Sequence, residues 1–252
     1  MRFASLGSGS RGNATLVEAG DTRVLIDCGF TLKETLKRLE RLECEPKSLS
    51  AILVTHEHGD HMGGVDVLAR RFSIPVYLTA GTYRKKPLRE EVSVQFISDH
   101  ENFALGELSI TPVAVPHDAA EPVQFVLQSQ SRKLGVLTDL GHVSPHVLDS
   151  FDGCDALVLE ANHDSTMLAY GPYPPSTKQR VGSAWGHLNN HQTAGLLEQI
   201  QREPLQHLVL AHISLQNNHI DHVKEAVHEW VGALPSVHYA CQDEGFDWLE
   251  IA

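Results

Sequence analysis

Residues 54–64 read Val54-Thr55-His56-Glu57-His58-Gly59-Asp60-His61-Met62-Gly63-Gly64. Three imidazoles and the carboxylates of Glu57 and Asp60 fall within six residues, just after the apolar run Ala51-Ile52-Leu53-Val54. In an extended chain, residues two apart point to the same side, so His56 and His58 reach one metal ion. Gly59 bends the chain, and Asp60 with His61 then reaches a second. Imidazole and carboxylate donors suit zinc, manganese or iron, and the donor types alone do not choose among them. A merely solvated His-rich loop would have no reason to follow a buried strand.

This HxHxDH string resembles the signature of the metallo-β-lactamase superfamily. The resemblance implies an α/β protein, an αβ/βα sandwich of two mixed β-sheets flanked by helices, with two metals at the sheet edge. The remaining sequence is consistent with that expectation. A chain of 252 residues, 42% hydrophobic, buries a sizeable core, and with no linker or low-complexity stretch it reads as a single domain over 1–252. No apolar run approaches the roughly 20 residues needed to span a membrane. Met1-Arg2-Phe3-Ala4-Ser5-Leu6-Gly7 is too short and too polar for a signal peptide. Cys28, Cys44, Cys154 and Cys241 form no CxxC pair, which points to reduced thiols in a cytoplasm. The net charge of −12 argues against a broad nucleic-acid-binding face but leaves room for a local one.

Upstream of the string, residues 2–6 read as a strand, followed by the loop Gly7-Ser8-Gly9-Ser10-Arg11-Gly12-Asn13. Ser8, Ser10 and Asn13 offer hydrogen bonds there, in either a hairpin turn or a phosphate-contacting loop. Strands follow at 14–18 and 23–28, and Asp27 at the end of the second either orients a ligand histidine or caps the next helix. Leu32, Leu36, Leu39 and Leu42 recur at helical spacing, which predicts an amphipathic helix packed on a sheet. Downstream, a helix to about Arg71 and a strand at 74–78 continue the strand–helix alternation of an α/β architecture. Arg84-Lys85-Lys86-Pro87-Leu88-Arg89 is the densest basic patch, either a solvated turn or a contact for nucleic-acid phosphates.

Further strands are expected at 108–115, 123–129, 134–138, 156–160 and 207–211. The first ends at Val115-Pro116-His117-Asp118, and a histidine there matches the superfamily's third metal motif. The third ends at Thr138-Asp139-Leu140-Gly141, which matches its metal-bridging carboxylate. The last ends at Ala211-His212 and echoes 51–58, an apolar run followed by a histidine, as two similar halves would produce. The expected set is therefore His56, His58 and His117 for one metal, Asp60, His61 and His212 for the other, and Asp139 between them. Glu160 and His163 are not needed by this set and read as groups that support the ligands from behind or face the substrate, or equally as structural ones. Residues 171–180 read as a Pro-rich surface loop. Trp185-Gly186-His187-Leu188-Asn189-Asn190 leads into a helix of about 12 residues, with Asn190 as its N-cap. Free N–H groups at that helix start favour an anion, and His187 just before it is placed to act on a phosphate. Closing strands are expected near 237–241 and 246–251, after a helix at about 218–232.

Within the superfamily the chain is most similar to the YycJ (WalJ) group. The residues behind this are Leu6-Gly7-Ser8-Gly9-Ser10-Arg11-Gly12-Asn13, Asp27-Cys28-Gly29, Thr138-Asp139-Leu140-Gly141, Leu159-Glu160-Ala161-Asn162-His163-Asp164 and Gly186-His187-Leu188-Asn189-Asn190. The resemblance implies a 5′→3′ exonuclease acting on double-stranded DNA, with a role in DNA repair. Its cofactors would be two divalent ions, Zn²⁺, Mn²⁺ or Fe²⁺, which make hydroxide from a bridging water near neutral pH. Asp60 and His187 would be catalytic, with Ser8, Ser10, Asn13, His163 and Asn190 on the substrate side. The alternative is a small-molecule hydrolase on the same scaffold, acting on a cyclic phosphodiester, thioester or lactone, which the acidic charge favours. The chain has no room for the extra domain of RNase J-like enzymes and no evident tRNA-clamping arm.

Overall fold

A computed structural model describes all of the chain except Ala233 and Pro235. The first half runs β1 (Arg2–Gly7), β2 (Ala14–Ala19), β3 (Thr22–Ile26), α1 (Leu32–Arg41), β4 (Ala51–Leu53), α2 (Gly59–Met62), α3 (Val65–Phe72), β5 (Val76–Thr79), α4 (Ala80–Lys85) and β6 (Val94–Ile97). The second half runs β7 (Phe103–Leu105), β8 (Leu108–Ala114), β9 (Val123–Ser129), β10 (Arg132–Leu137), α5 (Pro145–Phe151), β11 (Ala156–Glu160), α6 (Ser165–Tyr170), α7 (Pro175–Val181), α8 (Asn190–Leu197), β12 (His207–Ala211), α9 (Ile220–Val231) and β13 (Val237–Tyr239). A last strand, β14 (Phe246–Glu250), returns to pair with β1.

Among the described residues the strands form two sheets, ordered β14-β1-β2-β3-β4-β5-β6 and β13-β12-β11-β10-β9-β8-β7. In the first, the pairs from β14 to β3 are antiparallel and those from β3 to β6 parallel. In the second, the pairs from β7 to β10 are antiparallel and those from β10 to β13 parallel. The two halves thus repeat one plan.

Alternation along each strand builds three apolar layers. In β3 and β4, Val24, Ile26, Ala51 and Leu53 face the other sheet, while Leu25 and Ile52 face α1 and α3. In β11 and β12, Val158 and Val209 face inward, while Leu157, Leu159, Leu208 and Leu210 meet α8 and α9. Covered on both faces, these parallel strands read as unbroken apolar runs. The mixed-sheet sandwich flanked by helices is the fold that the sequence implied.

Some local expectations are corrected. Residues 171–180 are not simply a loop, because α7 occupies Pro175–Val181. Proline at the first helical position lacks only an N–H that would have no helical partner there, so Pro175 starts the helix instead of preventing it. The N-cap of α8 is Asn189, not Asn190, and Asn189 forms a reciprocal capping box with Gln192. That helix has 8 residues rather than about 12. The short strands β6 and β7 and the short helices α5 and α6 gave no usable periodicity.

Candidate metal centre

The parallel strands deliver their polar ends to one edge shared by both sheets. After β4 the chain passes through His56, bends at Glu57 and turns helical at Gly59, and this change of direction carries Asp60 and His61 back toward His56 and His58. His117 follows β8, Asp139 follows β10, and His212 follows β12 with φ of +53°. Asp27, at the end of β3, has φ of +61°. Left-handed backbone at non-glycine residues costs about 1–3 kcal/mol and persists where surrounding contacts over-determine it.

The expected donors converge. One donor atom each from His56, His58 and His117 lies within 4.8 Å of the other two, as do those of Asp60, His61 and His212. Asp139 lies between the groups: Oδ2 is 3.2 Å from His61 Nε2, and Oδ1 is 3.9 Å from His117 Nε2. Asp139 also groups with His56 and His61, and with Glu160, His187 and His212.

Hydrogen bonds aim the rings. His117 Nδ1 donates to the Gly186 carbonyl at 2.9 Å and His212 Nδ1 to the Thr138 carbonyl at 2.8 Å, which leaves Nε2 free in both. His61 Nδ1 lies 2.8 Å from Asp27 Oδ2, and Thr55 donates both its N–H and its hydroxyl to the same carboxylate. With its proton given to Asp27, the Thr55 hydroxyl accepts from His56 Nδ1 at 2.9 Å. Asp27 therefore orients a candidate ligand histidine, and Thr31 caps α1 instead. Gly186 is required where it stands, because a Cβ there would lie 2.2 Å from the carbonyl oxygens of Arg180 and Val181.

Electrostatics favour donor forms at His56, His117 and the two aspartates. Burial drives the His56 and His117 imidazoles below their ordinary pKa, so both are neutral. Burial alone would raise Asp139, but His212 and His61 outweigh it and hold the carboxyl well below the usual range. Burial opposes ionisation of Asp60 as well, yet His61 and His212 bring it down to about 2. Buried polar atoms rarely lack partners, yet His56 Nε2 and Asp139 Oδ2 are buried with no hydrogen bond. Burial would lower His61 and His212 too, but Asp139 and the neighbouring carboxylates outweigh it and raise both well above the ordinary imidazole range, so a cation bound there would take the place of their protons. Neutral His56 and His117, ionised carboxylates and unpartnered donor atoms facing one another fit a divalent cation.

The remaining sequence candidates divide. Ser10, His187 and several donors line a cleft of about 200 Å³. Ser8 and Asn13 are buried supports: Ser8 Oγ accepts from His212 N–H at 2.8 Å, and Asn13 Nδ2 lies 3.2 Å from His61 Nε2. Asn190 is paired amide to amide with Asn218, and His163 is buried, its pKa lowered to about 4 by burial. Glu160 is the residue whose role the sequence left open. It is fully buried, its Oε1 lies 2.7 Å from His187 Nδ1, and its Oε2 accepts from Leu140 and Leu188 N–H. Its place at the end of an apolar strand was the available signal. Larger hollows exist, but among the described residues every group of metal-type donors lies in this centre.

Comparison with known proteins agrees with this geometry. The beta-lactamase superfamily domain matches residues 22–213. The chain is 35% identical over 224 residues to the exodeoxyribonuclease YycJ of Bacillus anthracis, covering 86% of this chain and 84% of that protein. It is 31% identical over 234 residues to the exodeoxyribonuclease WalJ of Streptococcus pneumoniae, covering 90% and 86%. Among solved structures, the metallo-beta-lactamase fold protein YhfI of Bacillus subtilis superposes with a TM-score of 0.75 at 17% identity, covering 98% of each chain. Zn²⁺-bound PqqB of Methylobacterium extorquens gives 0.74 at 18% identity, covering 99% of this chain and all of that one. These two likenesses concern the fold alone. The chain belongs to the beta-lactamase superfamily, to its YycJ/WalJ group, and is a metal-dependent hydrolase.

Proposed function

We propose that the protein is a two-metal phosphodiesterase, a 5′→3′ exonuclease acting on double-stranded DNA. The observation that carries this reading is the pair of donor groups with Asp139 between them, and His187 beside them on the same cleft, held by Glu160. The full-length likeness to two proteins named exodeoxyribonucleases supports DNA as the substrate. His56, His58 and His117 would hold one ion, Asp60, His61 and His212 the other, and Asp139 both. Two divalent ions, zinc, manganese or iron, supply charge neutralisation and an activated water when bound.

The side chains do the rest. His187 keeps Nδ1 on the Glu160 carboxylate, so Nε2 is the nitrogen available to the leaving oxygen of the cut strand. Asp60 Oδ2 stands at the cleft wall 3.6 Å from Nε2 of both His61 and His212, where its charge would face the reacting centre and share an ion with them. Ser10 offers a hydroxyl at the mouth. Four free cysteines support a reducing compartment such as the cytoplasm, and no described helix is long and apolar enough to cross a membrane.

Metal-replete protein should carry close to two divalent ions and release nucleotides from the 5′ ends of labelled duplex DNA. Hydrolysis of a thioester, lactone or cyclic phosphodiester with no cleavage of DNA would instead establish a small-molecule hydrolase. The salt dependence of activity separates the two, being steep only for a polyanion.

A further inference from the structure

The cleft beside the candidate metal centre is roofed by the segment 171–182, which places Tyr173, Thr177 and Arg180 on its wall. Arg180 is the lone lysine or arginine among the described lining residues. Its Nη1 donates to Asp118 Oδ2 at 2.9 Å, and no other side-chain hydrogen bond of this guanidinium occurs among the described residues. The other oxygen of Asp118 is buried without a hydrogen bond, 3.4 Å from His117 Nε2 and 3.9 Å from His58 Nε2. Asp118 therefore fixes the guanidinium at the edge of the first histidine group. The backbone beneath is fixed too: Ser183 Oγ donates to the Arg180 carbonyl, and His187 N–H donates to the Val181 carbonyl, each at 2.9 Å.

A guanidinium has five N–H donors in a planar fork suited to phosphate oxygens. Arg180 commits one group and leaves the rest at a wall that is half exposed. Asp60, Asp118, Asp139 and Glu160 make the neighbourhood acidic, so a phosphate not held by metal would be repelled unless a cation met it. Ions held by the two donor groups would take the scissile phosphate, and a strand would bring another phosphate one linkage away. Resting on the phosphodiesterase reading, we propose that Arg180 binds a second, non-scissile phosphate of the substrate and so selects a nucleic-acid strand over a lone phosphodiester.

The test uses metal-loaded protein and three nucleotides that contain no diester to cleave: thymidine 5′-phosphate, thymidine 3′-phosphate and thymidine 3′,5′-bisphosphate. Binding is measured by calorimetry for wild type, Arg180→Ala and Arg180→Lys, with metal content determined for each. Wild type should bind the bisphosphate on the order of ten-fold tighter than either monophosphate, the yield of one charge-assisted contact. Arg180→Ala should bring that ratio toward unity, and Arg180→Lys should keep part of it, with metal content unchanged in both. A ratio near unity in wild type, or an undiminished ratio in Arg180→Ala, overturns the proposal. Cleavage of duplex DNA is scored separately. A wild type that prefers the bisphosphate through Arg180 but cuts no DNA refutes the nuclease reading and leaves the phosphate contact standing.

Discussion

His187 Nδ1 lies 2.7 Å from Glu160 Oε1, inside a carboxylate whose second oxygen is bound by two backbone N–H groups. Burial alone would raise the Glu160 carboxyl, but His187 and His212 hold it below its usual range, so it accepts and does not donate. The Nδ1 proton of His187 is thereby directed at Glu160, which leaves Nε2 for the proton transfer proposed above.

His187→Ala should keep its metals and lose on the order of 10²–10⁴-fold in kcat on DNA, the range for a general acid. A nitrophenyl phosphodiester, whose leaving group needs no proton, should be spared most of that loss. Glu160→Gln should show the same contrast in weaker form. Equal losses on both substrates would remove the proton-donating role.

Asp139→Ala should lower occupancy of both ions and abolish turnover, because one carboxylate faces both donor groups. Circular dichroism should report an intact fold. Near-normal cleavage in this variant would end the bridging assignment.

Asp27→Ala should weaken metal binding by roughly 10–100-fold by freeing the His61 ring. It also strands the buried Thr55 N–H and hydroxyl, for a stability loss on the order of 1–3 kcal/mol. Metal titration and urea unfolding measure the two effects separately, and unchanged affinity would leave Asp27 a purely structural residue.

The basic turn lies near the centre. Burial lowers the Lys86 pKa while the charges of Asp60 and Glu57 act against it, and Arg89 is engaged with Asp66. Replacing Arg84, Lys85, Lys86 and Arg89 with alanine should weaken duplex binding and flatten its salt slope by roughly one unit per lost phosphate contact. An unchanged slope would return the turn to solvated surface.

A thiol reagent should modify Cys241 alone in the folded protein and all four cysteines after denaturation. Burial pushes the Cys28 thiol up to about 11 and the Cys154 thiol up to about 12, and Cys44 is also buried and raised. Rapid reaction of more than one thiol in the native state would contradict this packing.

The strands that lead to the candidate donors were legible because strands buried on both faces leave long apolar runs, and each such run ends in a metal-type side chain: Val54 before His56, Leu137 before Asp139, Ala211 before His212. Glu160 stands in the same position after Leu159, but its partner His187 arrives from a segment distant in sequence, so the pair was not readable as a pair. Arg180 and Asp118 were hidden for the same reason. Asn189 and Asn190 are adjacent and chemically identical, and only the backbone turn decides which one caps. The edge strand β6 is half exposed and carries no clean alternation, so nothing in Val94–Ile97 announced it.

Each donor group takes members from both sheets, and the group of Asp60, His61 and His212 is not complete until β12 has paired with β11. A chain in mid-synthesis therefore holds most of its histidines but no finished centre. Packing of the core and assembly of the donor set are thus one event.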